Sequence, residues 1–157
     1  MNNYFISIFL AVVFSPYFAI SAFKNIQNLY FEEITAQQGL SQNTINCIYQ
    51  DSKGFLWIGT QDGLNRYDGY QFEIFKHNPR DSNTISHNWI WDIYEDTSSN
   101  LWIATWEGLN RYDPVRASFL KYLPDKNRSA SISNSRPTSI TEDKAGNLWI
   151  GTWGGGL

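Results

Sequence analysis

The sequence predicts an all-β fold built from a repeated unit of about 45 residues. The peptide Leu-Trp-Ile-Gly-Thr at residues 56–60 returns as Leu-Trp-Ile-Ala-Thr at 101–105 and unchanged at 148–152. A second peptide, Gly-Leu-Asn-Arg-Tyr-Asp, occurs at residues 63–68 and 108–113. A repeat of this length is typical of a four-stranded propeller blade. We therefore expect β-propeller blades of four antiparallel strands in an incomplete propeller, with two full blades and part of a third.

The first unit divides into four short strands by its alternating residues and its turn residues. We predict these strands at residues 45–50, 55–60, 64–67 and 72–76. Asp51 and Gly54 indicate a tight turn, because aspartate bonds nearby backbone and glycine accepts positive φ. Ser99 stands where the second unit should have this glycine, so its turn is either strained or built differently.

Two further features concern how blades pack. The second strand of each unit is apolar on both faces, as expected of a strand covered on both sides. Trp57, Trp102 and Trp149 are therefore interpreted as core residues between blades, and the small residues at positions 59, 104 and 151 as permitting close approach of the sheets. Residues 29–34 predict an extra strand that would become the outer strand of the last blade and close the ring.

The chain divides into five segments. Residues 1–22 are predicted to be a signal peptide, since an apolar stretch ends near Pro16 and small residues. They contain no Lys or Arg, so an uncleaved N-terminal anchor is the alternative. The other segments are an N-terminal segment with the ring-closing strand, two full repeats and a partial repeat, at residues 23–40, 41–85, 86–132 and 133–157. The third unit stops midway, and the chain is interpreted as a fragment or a truncated reading frame.

Composition excludes several functions. Twelve Lys and Arg against 15 Asp and Glu give a formal charge of −3, which predicts no nucleic-acid partner. Cys47 is the only cysteine, so we expect no internal disulfide and a buried apolar role. His77 and His87 lack companion ligands, and we expect neither a metal nor a cofactor. The glycines at 154–156 lack the lysine of a phosphate loop and predict a turn one residue longer than in the first unit.

The recurring charged residues predict structure rather than catalysis. A catalytic pair needs a unique place, whereas aspartates that return in each unit are typical of turns. Turn-forming roles are therefore predicted for Asp51, Asp96, Asp143, Asp68 and Asp113. Arg66 and Arg111 also recur, and we expect them to pair with carboxylates along the blades.

Non-repeating residues indicate a binding site at one end of the blades. In a four-stranded meander, the loop between the second and third strands and the loop between blades emerge at the same end. The long segments 78–88 and 124–136 belong there, and long loops on a rigid scaffold often bind ligands. Four tryptophans at this end break the repeat: Trp89, Trp91, Trp106 and Trp153.

These tryptophans suit the C–H face of a sugar ring, whose hydroxyls could be bonded by nearby polar residues. The polar candidates are Asp62, Glu107, Arg80 and His87. The alternative is that the tryptophans pack under the loops or against a partner domain. Both interpretations stay open for Trp106 and Trp153, whereas packing is favoured for Trp89 and Trp91.

The motifs resemble the two-component regulator propeller repeat. The resemblance rests on residues 40–45, 51–54, 56–60 and 63–68 and covers residues 30–157. It implies an extracytoplasmic, periplasmic sensor region of a hybrid histidine kinase of the Bacteroidetes type. In that family further blades, a β-sandwich, a membrane helix and kinase modules follow.

The resemblance also implies partners. We expect an oligosaccharide ligand, since the family often controls glycan use, together with downstream blades and a homodimer of the full receptor. Contact with a membrane would occur only through the leader or a downstream helix. A propeller enzyme acting on polysaccharide, either a lyase or a glycoside hydrolase, is one alternative, and a non-catalytic protein-interaction propeller is another. No convincing non-repeating acid and base are found, so we do not expect this chain to be an enzyme.

Overall fold

The computed structural model describes residues 31–128 and 131–157, which are almost entirely strands and turns. The chain divides into a unit Met1–Glu33, of which only residues 31–33 are described, and a unit Ile34–Leu157. The predicted signal peptide or anchor at residues 1–22 lies outside the described residues. Within the described part no helix is long and apolar enough to cross a membrane.

The described residues contain two four-stranded antiparallel sheets and one two-stranded sheet. The predicted all-β fold, with two full blades and part of a third, is confirmed. The first blade runs in the order β1 (Ile45–Gln50), β2 (Leu56–Thr60), β3 (Gly63–Tyr67) and β4 (Phe72–Phe75). The second contains β5 (Ile90–Glu95), β6 (Leu101–Thr105), β7 (Gly108–Asp113) and β8 (Ser118–Tyr122). The third contains β9 (Pro137–Glu142) and β10 (Leu148–Thr152).

The predicted strand at residues 29–34 is not formed over its described part. Phe31 to Ile34 have no strand assignment, and residues 29 and 30 lie outside the described range. A strand needs a hydrogen-bonded neighbour, and the described residues include no last blade on which this segment could pair. Just after it, Ala36–Gln38 form a short 3-10 helix, which Thr35 caps.

The core lies between successive blades. Trp57 is 2 % exposed and packs edge-on against Tyr112 of the second blade, with ring centroids 5.0 Å apart. Trp102 clusters with Ile140, Leu148 and Ile150 of the third blade. The core prediction is thus confirmed for these two tryptophans.

The core prediction is wrong for Trp149 in this structure. Its side chain is 47 % exposed, because no described residue forms a blade that covers its face. The prediction that small residues allow close approach is confirmed at Gly59. A Cβ placed there would lie 2.7 Å from Cγ2 of Ile90, in the next blade.

A recurring aspartate forms the turn between the first two strands of each blade, as predicted. In the second blade, Oδ1 of Asp96 accepts hydrogen bonds from the backbone N–H groups of Ser98 and Asn100, at 3.0 and 2.8 Å. Its Oδ2 accepts from Nε1 of Trp102 at 2.8 Å. Asp51 and Asp143 make the equivalent bonds to Trp57 and Trp149.

The turn at Ser99 has the strained geometry that the sequence left open. Ser99 has φ of 61°, while the equivalent Gly54 and Gly146 have 92° and 83°. All three N–H groups donate to the carbonyl oxygen of the turn aspartate. The turn is therefore built alike in each blade, and only the second blade places a side chain at its positive φ.

A carboxylate also ties the turns of the first and second blades to the following blade. Oε2 of Glu95 accepts from the backbone N–H of Ser52 at 2.6 Å, and its Oε1 accepts from the Ser52 hydroxyl at 2.8 Å. Glu142 makes the same two contacts with Thr97. These bonds fix the register of adjacent blades at the end opposite the long loops.

The other recurring charges behave largely as predicted. Asp68 accepts from the N–H groups of Tyr70 and Gln71, and Asp113 accepts from those of Val115 and Arg116. Arg66 forms an ion pair with Glu73, as expected. Arg111, in contrast, makes no ion pair with another described residue.

Candidate functional site

The four non-repeating tryptophans meet at the long-loop end, in what we call the tryptophan cluster. Trp91 lies at its centre, and its ring centroid is 5.6 Å from that of Trp89, 6.0 Å from Trp106 and 6.3 Å from Trp153. Trp89 and Trp106 are 5.8 Å apart. The sequence predicted their common end, and the structure adds that their rings contact one another.

Local backbone geometry brings the four rings together. Trp91 is the extra residue of a bulge in β5, since Ile90 pairs with Thr105 and Asp92 with Ala104. Such a residue is free of ladder pairing, so its side chain can be re-aimed. Trp106 occupies the turn after β6, and its N–H donates to the carbonyl oxygen of Trp89 at 3.0 Å. The cluster therefore combines the start of the second blade, around β5, with the turn between β6 and β7.

Trp153 brings the third blade into the cluster. It lies in the turn after β10, where Gly156 bridges to Thr152 across a turn one residue longer than that of the first blade, as predicted. Its side chain is 61 % exposed, whereas the other three tryptophans are half-buried. The Nε1 atoms of Trp89 and Trp91 are buried without a hydrogen-bond partner among the described residues. The cluster thus offers one open ring above a partly buried aromatic base.

Arg136 is a site residue that the sequence analysis missed. Its guanidinium carbon lies 4.4 Å from the ring centroid of Trp106, which is cation–π distance. The backbone N–H of Arg136 donates to Oδ1 of Asn134 at 2.9 Å. Its backbone carbonyl oxygen accepts from the backbone N–H of Trp153, also at 2.9 Å. Arg136 precedes β9 as Trp89 precedes β5, and a comparison of this repeat position across the blades would have revealed it.

Two of the predicted polar residues lie away from the tryptophan contacts. Asp62 pairs with Lys76 at 2.7 Å and accepts from Nδ2 of Asn88 at 3.1 Å, so its carboxylate already has two partners outside the tryptophan cluster. Arg80 lies in the exposed loop after β4, where its backbone N–H donates to Asn78. No bond joins either side chain to the tryptophan cluster among the described residues.

His87 and Glu107 lie closer to the cluster. Nδ1 of His87 accepts from the N–H of Trp89 at 2.9 Å, so that nitrogen carries no proton. Burial lowers the pKa of His87, although the charge of Glu107 partly opposes this shift. Glu107 is exposed and follows Trp106 in the turn. It also borders a depression shared with Lys121 and Ser135.

The inner strands hold two further titratable groups. Asp92 accepts from the N–H of Ile140 at 2.7 Å, which joins the second and third blades, and burial raises its pKa. Burial and the neighbouring charge of Asp92 raise the pKa of the Cys47 thiol to about 12. Cys47 packs against the core, which fits its predicted role, and its protonated thiol is a poor nucleophile.

Chemically, the tryptophan cluster with Arg136 is suited to binding. It provides aromatic faces for stacking and a cation beside them, and both lie at the long-loop end of the blades. Among the described residues, no group of three or more His, Cys, Asp or Glu could hold a metal ion.

Four-stranded antiparallel blades follow one another along the chain, and the tryptophan cluster with Arg136 forms a candidate binding rim at their long-loop end. This arrangement defines the chain as part of a β-propeller. Residues 39–62, 84–107 and 131–154 match the family model of the two component regulator propeller. Each match contains a turn aspartate and the tryptophan that donates to it: Asp51 and Trp57, Asp96 and Trp102, and Asp143 and Trp149. The chain belongs to this family of propeller repeats.

Proteins similar to this chain include examples from two bacteria. The extracellular domain of the proposed hybrid two component system BT3049 from B. thetaiotaomicron is 34 % identical with a TM-score of 0.69, over 76 % of this chain and 17 % of that one. The corresponding domain of BT4673 is 36 % identical with a TM-score of 0.65, over 82 % of this chain and 18 % of that one. Histidine kinase P4 of Formosa agariphila is 44 % identical over 81 residues, which are 52 % of this chain and 6 % of the kinase.

Proposed function

We propose that this chain is a ligand-sensing propeller module of a two-component signalling receptor and acts outside the cytoplasm. The family match supports a regulatory propeller. Two similar solved structures are extracellular domains of proposed hybrid two component systems, and a third relative is a histidine kinase. A periplasmic location, further blades, a homodimer and a kinase output module are parts of this proposal. The membrane would be reached through the leader or a downstream helix.

The proposed ligand is an oligosaccharide, and the tryptophan cluster carries this part of the proposal. A pyranose ring presents apolar C–H groups on its face, and an aromatic plane binds that face while ring hydroxyls stay solvated. The exposed ring of Trp153 and the half-buried ring of Trp106 provide such planes on neighbouring turns. Trp91, which contacts both, would support them from below as the shared base.

Signalling requires that the ligand bind one arrangement of the receptor better than another. Trp106 belongs to the second blade and Trp153 to the third. A sugar that stacks on both rings would therefore favour one relative placement of the two blades. The difference in binding free energy between the two blade placements is what a receptor could transmit to its output module.

The test uses the full-length gene product, with calorimetric titration of oligosaccharides and a transcriptional reporter of the receptor. Trp106→Ala or Trp153→Ala should weaken binding by about 1–3 kcal/mol if either ring is a central anchor. Tyr70→Ala is the matched control, because Tyr70 is an exposed aromatic residue in the β3–β4 turn at the opposite end. Unchanged affinity in both tryptophan variants would remove them from the site.

The same titrations separate the alternatives. Cleavage of the oligosaccharide, seen by chromatography of the recovered ligand, would favour a propeller lyase or glycoside hydrolase. A reporter that responds to a protein and to no saccharide would favour the protein-interaction propeller. Binding without cleavage, together with a reporter response that either rim substitution reduces, is the outcome that we expect of the sensor.

A further inference from the structure

We propose that the rim selects acidic oligosaccharides, with Arg136 binding a carboxylate or sulfate group while a sugar ring stacks on the tryptophan cluster. This inference rests on the proposed function, because it names the class of saccharide that the same site would take. Carboxylate and sulfate share the relevant chemistry, which is a group of anionic oxygens that matches the guanidinium fork.

Contacts within the described chain position Arg136 before any ligand arrives. Its backbone is held on both sides, by Asn134 at the N–H and by Trp153 at the carbonyl oxygen. Its guanidinium is held by the face of Trp106. A preorganised group loses less conformational entropy on binding, so the energy of a new charge-assisted bond is retained in the affinity.

The guanidinium has no counter-ion within the described chain. Ion pairs there join Arg66 to Glu73, Lys76 to Asp62 and Arg116 to Asp113, and none involves Arg136. Nor does its guanidinium donate a hydrogen bond to another described residue. The contact with Trp106 is a cation–π contact of the guanidinium carbon, and none of the five guanidinium N–H donors is used in a hydrogen bond to another described residue. They therefore stay available to an anion beside the ring.

Other charges near the site set the expected specificity. His87 has a lowered pKa and is uncharged at neutral pH, so it adds no positive charge. Glu107 adds a negative charge beside Trp106, and Lys121 borders the same depression. Arg136 is thus the cation that the tryptophan cluster holds directly. Because Glu107 would repel an anionic ligand, removing its charge should strengthen the binding of acidic saccharides.

The experiment compares three ligands of equal length on the full-length gene product: a neutral oligosaccharide, a uronic-acid oligosaccharide and a sulfated one. Titrations are repeated across a range of NaCl concentrations, since screening weakens exposed charge interactions. The variants are Arg136→Gln, Arg136→Lys and Glu107→Gln. Arg116→Gln is the matched control, because Arg116 is an exposed arginine in the β7–β8 turn, at the opposite end. Circular dichroism verifies that each variant is folded.

We expect the wild-type protein to prefer at least one acidic ligand over the neutral ligand, with affinity that falls as salt rises. Arg136→Gln should reduce acidic binding about 10-fold to 100-fold, as expected for a lost bond to a charged group. Neutral binding should change little. Arg136→Lys should be intermediate, because lysine keeps the charge without the planar fork. Glu107→Gln should increase acidic affinity at low salt, and Arg116→Gln should have no effect.

The outcomes separate this inference from the proposed function. If Trp106→Ala abolishes saccharide binding but neutral and acidic ligands bind alike, or Arg136→Gln lowers both equally, the inference is overturned and the saccharide sensor stands. Arg136 would then serve only to support Trp106. If no saccharide of any charge binds the folded protein, both the saccharide proposal and this inference are overturned. Preference for the uronic acid or for the sulfated ligand assigns the anionic group.

Discussion

Each aspartate in the turn between the first two strands of a blade has two structural roles, because one carboxylate oxygen bonds its turn and the other bonds a tryptophan. One carboxylate oxygen of Asp96 closes a turn through backbone N–H groups, and the other holds the indole of Trp102. Burial alone would raise the pKa of Asp96, but hydrogen bonds from Trp102, Asn100 and Ser98 together lower it. The carboxylate is therefore favoured in its charged form by the same contacts that orient the core tryptophan.

Asp96→Asn should destabilise the fold at neutral pH by about 1–3 kcal/mol, as expected for a partly buried donor that loses its acceptor. An amide retains one acceptor oxygen for the turn but presents an NH₂ group to Nε1 of Trp102. The measurement is urea unfolding of the full-length gene product. Asp68→Asn is the control, because Asp68 uses only Oδ1 to accept from backbone and an amide preserves that acceptor. An equal loss in both variants would contradict the proposed role of the indole bond.

The lowered pKa of Asp96 predicts that the stability difference between wild type and Asp96→Asn depends on pH. A carboxylate whose folded pKa is lowered contributes stability above its unfolded pKa of about 4, and this contribution disappears as pH falls through the folded pKa. The difference in stability between wild type and Asp96→Asn should therefore be constant from pH 5 to 7 and shrink below about pH 4. Urea midpoints measured across this range provide the test. A difference that grows on acidification would contradict the lowered pKa.

Ser99 is a residue at which the sequence departs from what its turn requires. A non-glycine residue at φ of 61° pays a steric cost that glycine avoids. Ser99→Gly should therefore be neutral or stabilising by up to about 1 kcal/mol, since glycine also loses more entropy on folding. The melting temperature of the full-length gene product measures this effect. Gly54→Ser, at φ of 92°, is the reverse substitution and should destabilise. A loss above 1 kcal/mol for Ser99→Gly would contradict the turn assignment.

At the scale of strands, local pattern was sufficient to predict the blades. The first strand was predicted at its observed bounds, Ile45–Gln50, and the others of that blade within one residue at each end. Alternation, paired apolar faces and turn residues are all local properties that recur in each unit. The exposure of Trp149 was not predicted, because burial depends on a neighbouring blade rather than on the residue's own strand.

The candidate site was predictable only in part. Breaks in the repeat identified the four tryptophans, and strand order placed them at one end. Their mutual contacts depend on the bulge at Trp91 and on the turn at Trp153, whose side-chain directions no spacing rule provides. Arg136 ends the long segment 124–136 that the sequence placed at this end, but its contact with Trp106 is seen only in the folded structure. The pairing of Asp62 with Lys76 joins two loops whose proximity appears only in the folded blade.

The packing of one blade on the next predicts different consequences for two tryptophans. Trp57 is 2 % exposed between blades, and Trp57→Ala should cost about 3–5 kcal/mol through the cavity that it leaves. Trp153→Ala is the control, since an exposed rim residue should change stability by less than about 1 kcal/mol. Denaturant unfolding of both variants in the full-length gene product measures the difference. Similar losses would assign Trp153 to packing instead of the binding rim.

At the scale of the whole molecule, two blade faces are not covered by another described blade: the face of the first blade that points away from the second, and the face of the third blade that points away from the second. Ile48 in β1 is 62 % exposed, whereas Ile93, at the equivalent position in β5, is 3 % exposed. Trp149 is similarly open on the far side of the third blade, while Trp57 and Trp102 are covered. The two faces correspond to the two sides of a blade–blade interface, and each therefore resembles the natural partner of the other.

Residues 31–157 expressed alone should consequently associate head to tail or fold loosely. Repeat proteins depend on neighbouring units for stability and need polar terminal units for solubility. We expect a broad thermal transition and a mass by light scattering that rises with concentration. Replacing the exposed Ile48 with Thr and Trp149 with Gln should reduce this association, because both changes remove apolar surface from the open faces. Ile93→Thr is the control, and it should destabilise without reducing association, since Ile93 is buried between blades. A sharp, cooperative melt of a wild-type monomer at all concentrations would show that the open faces do not need cover.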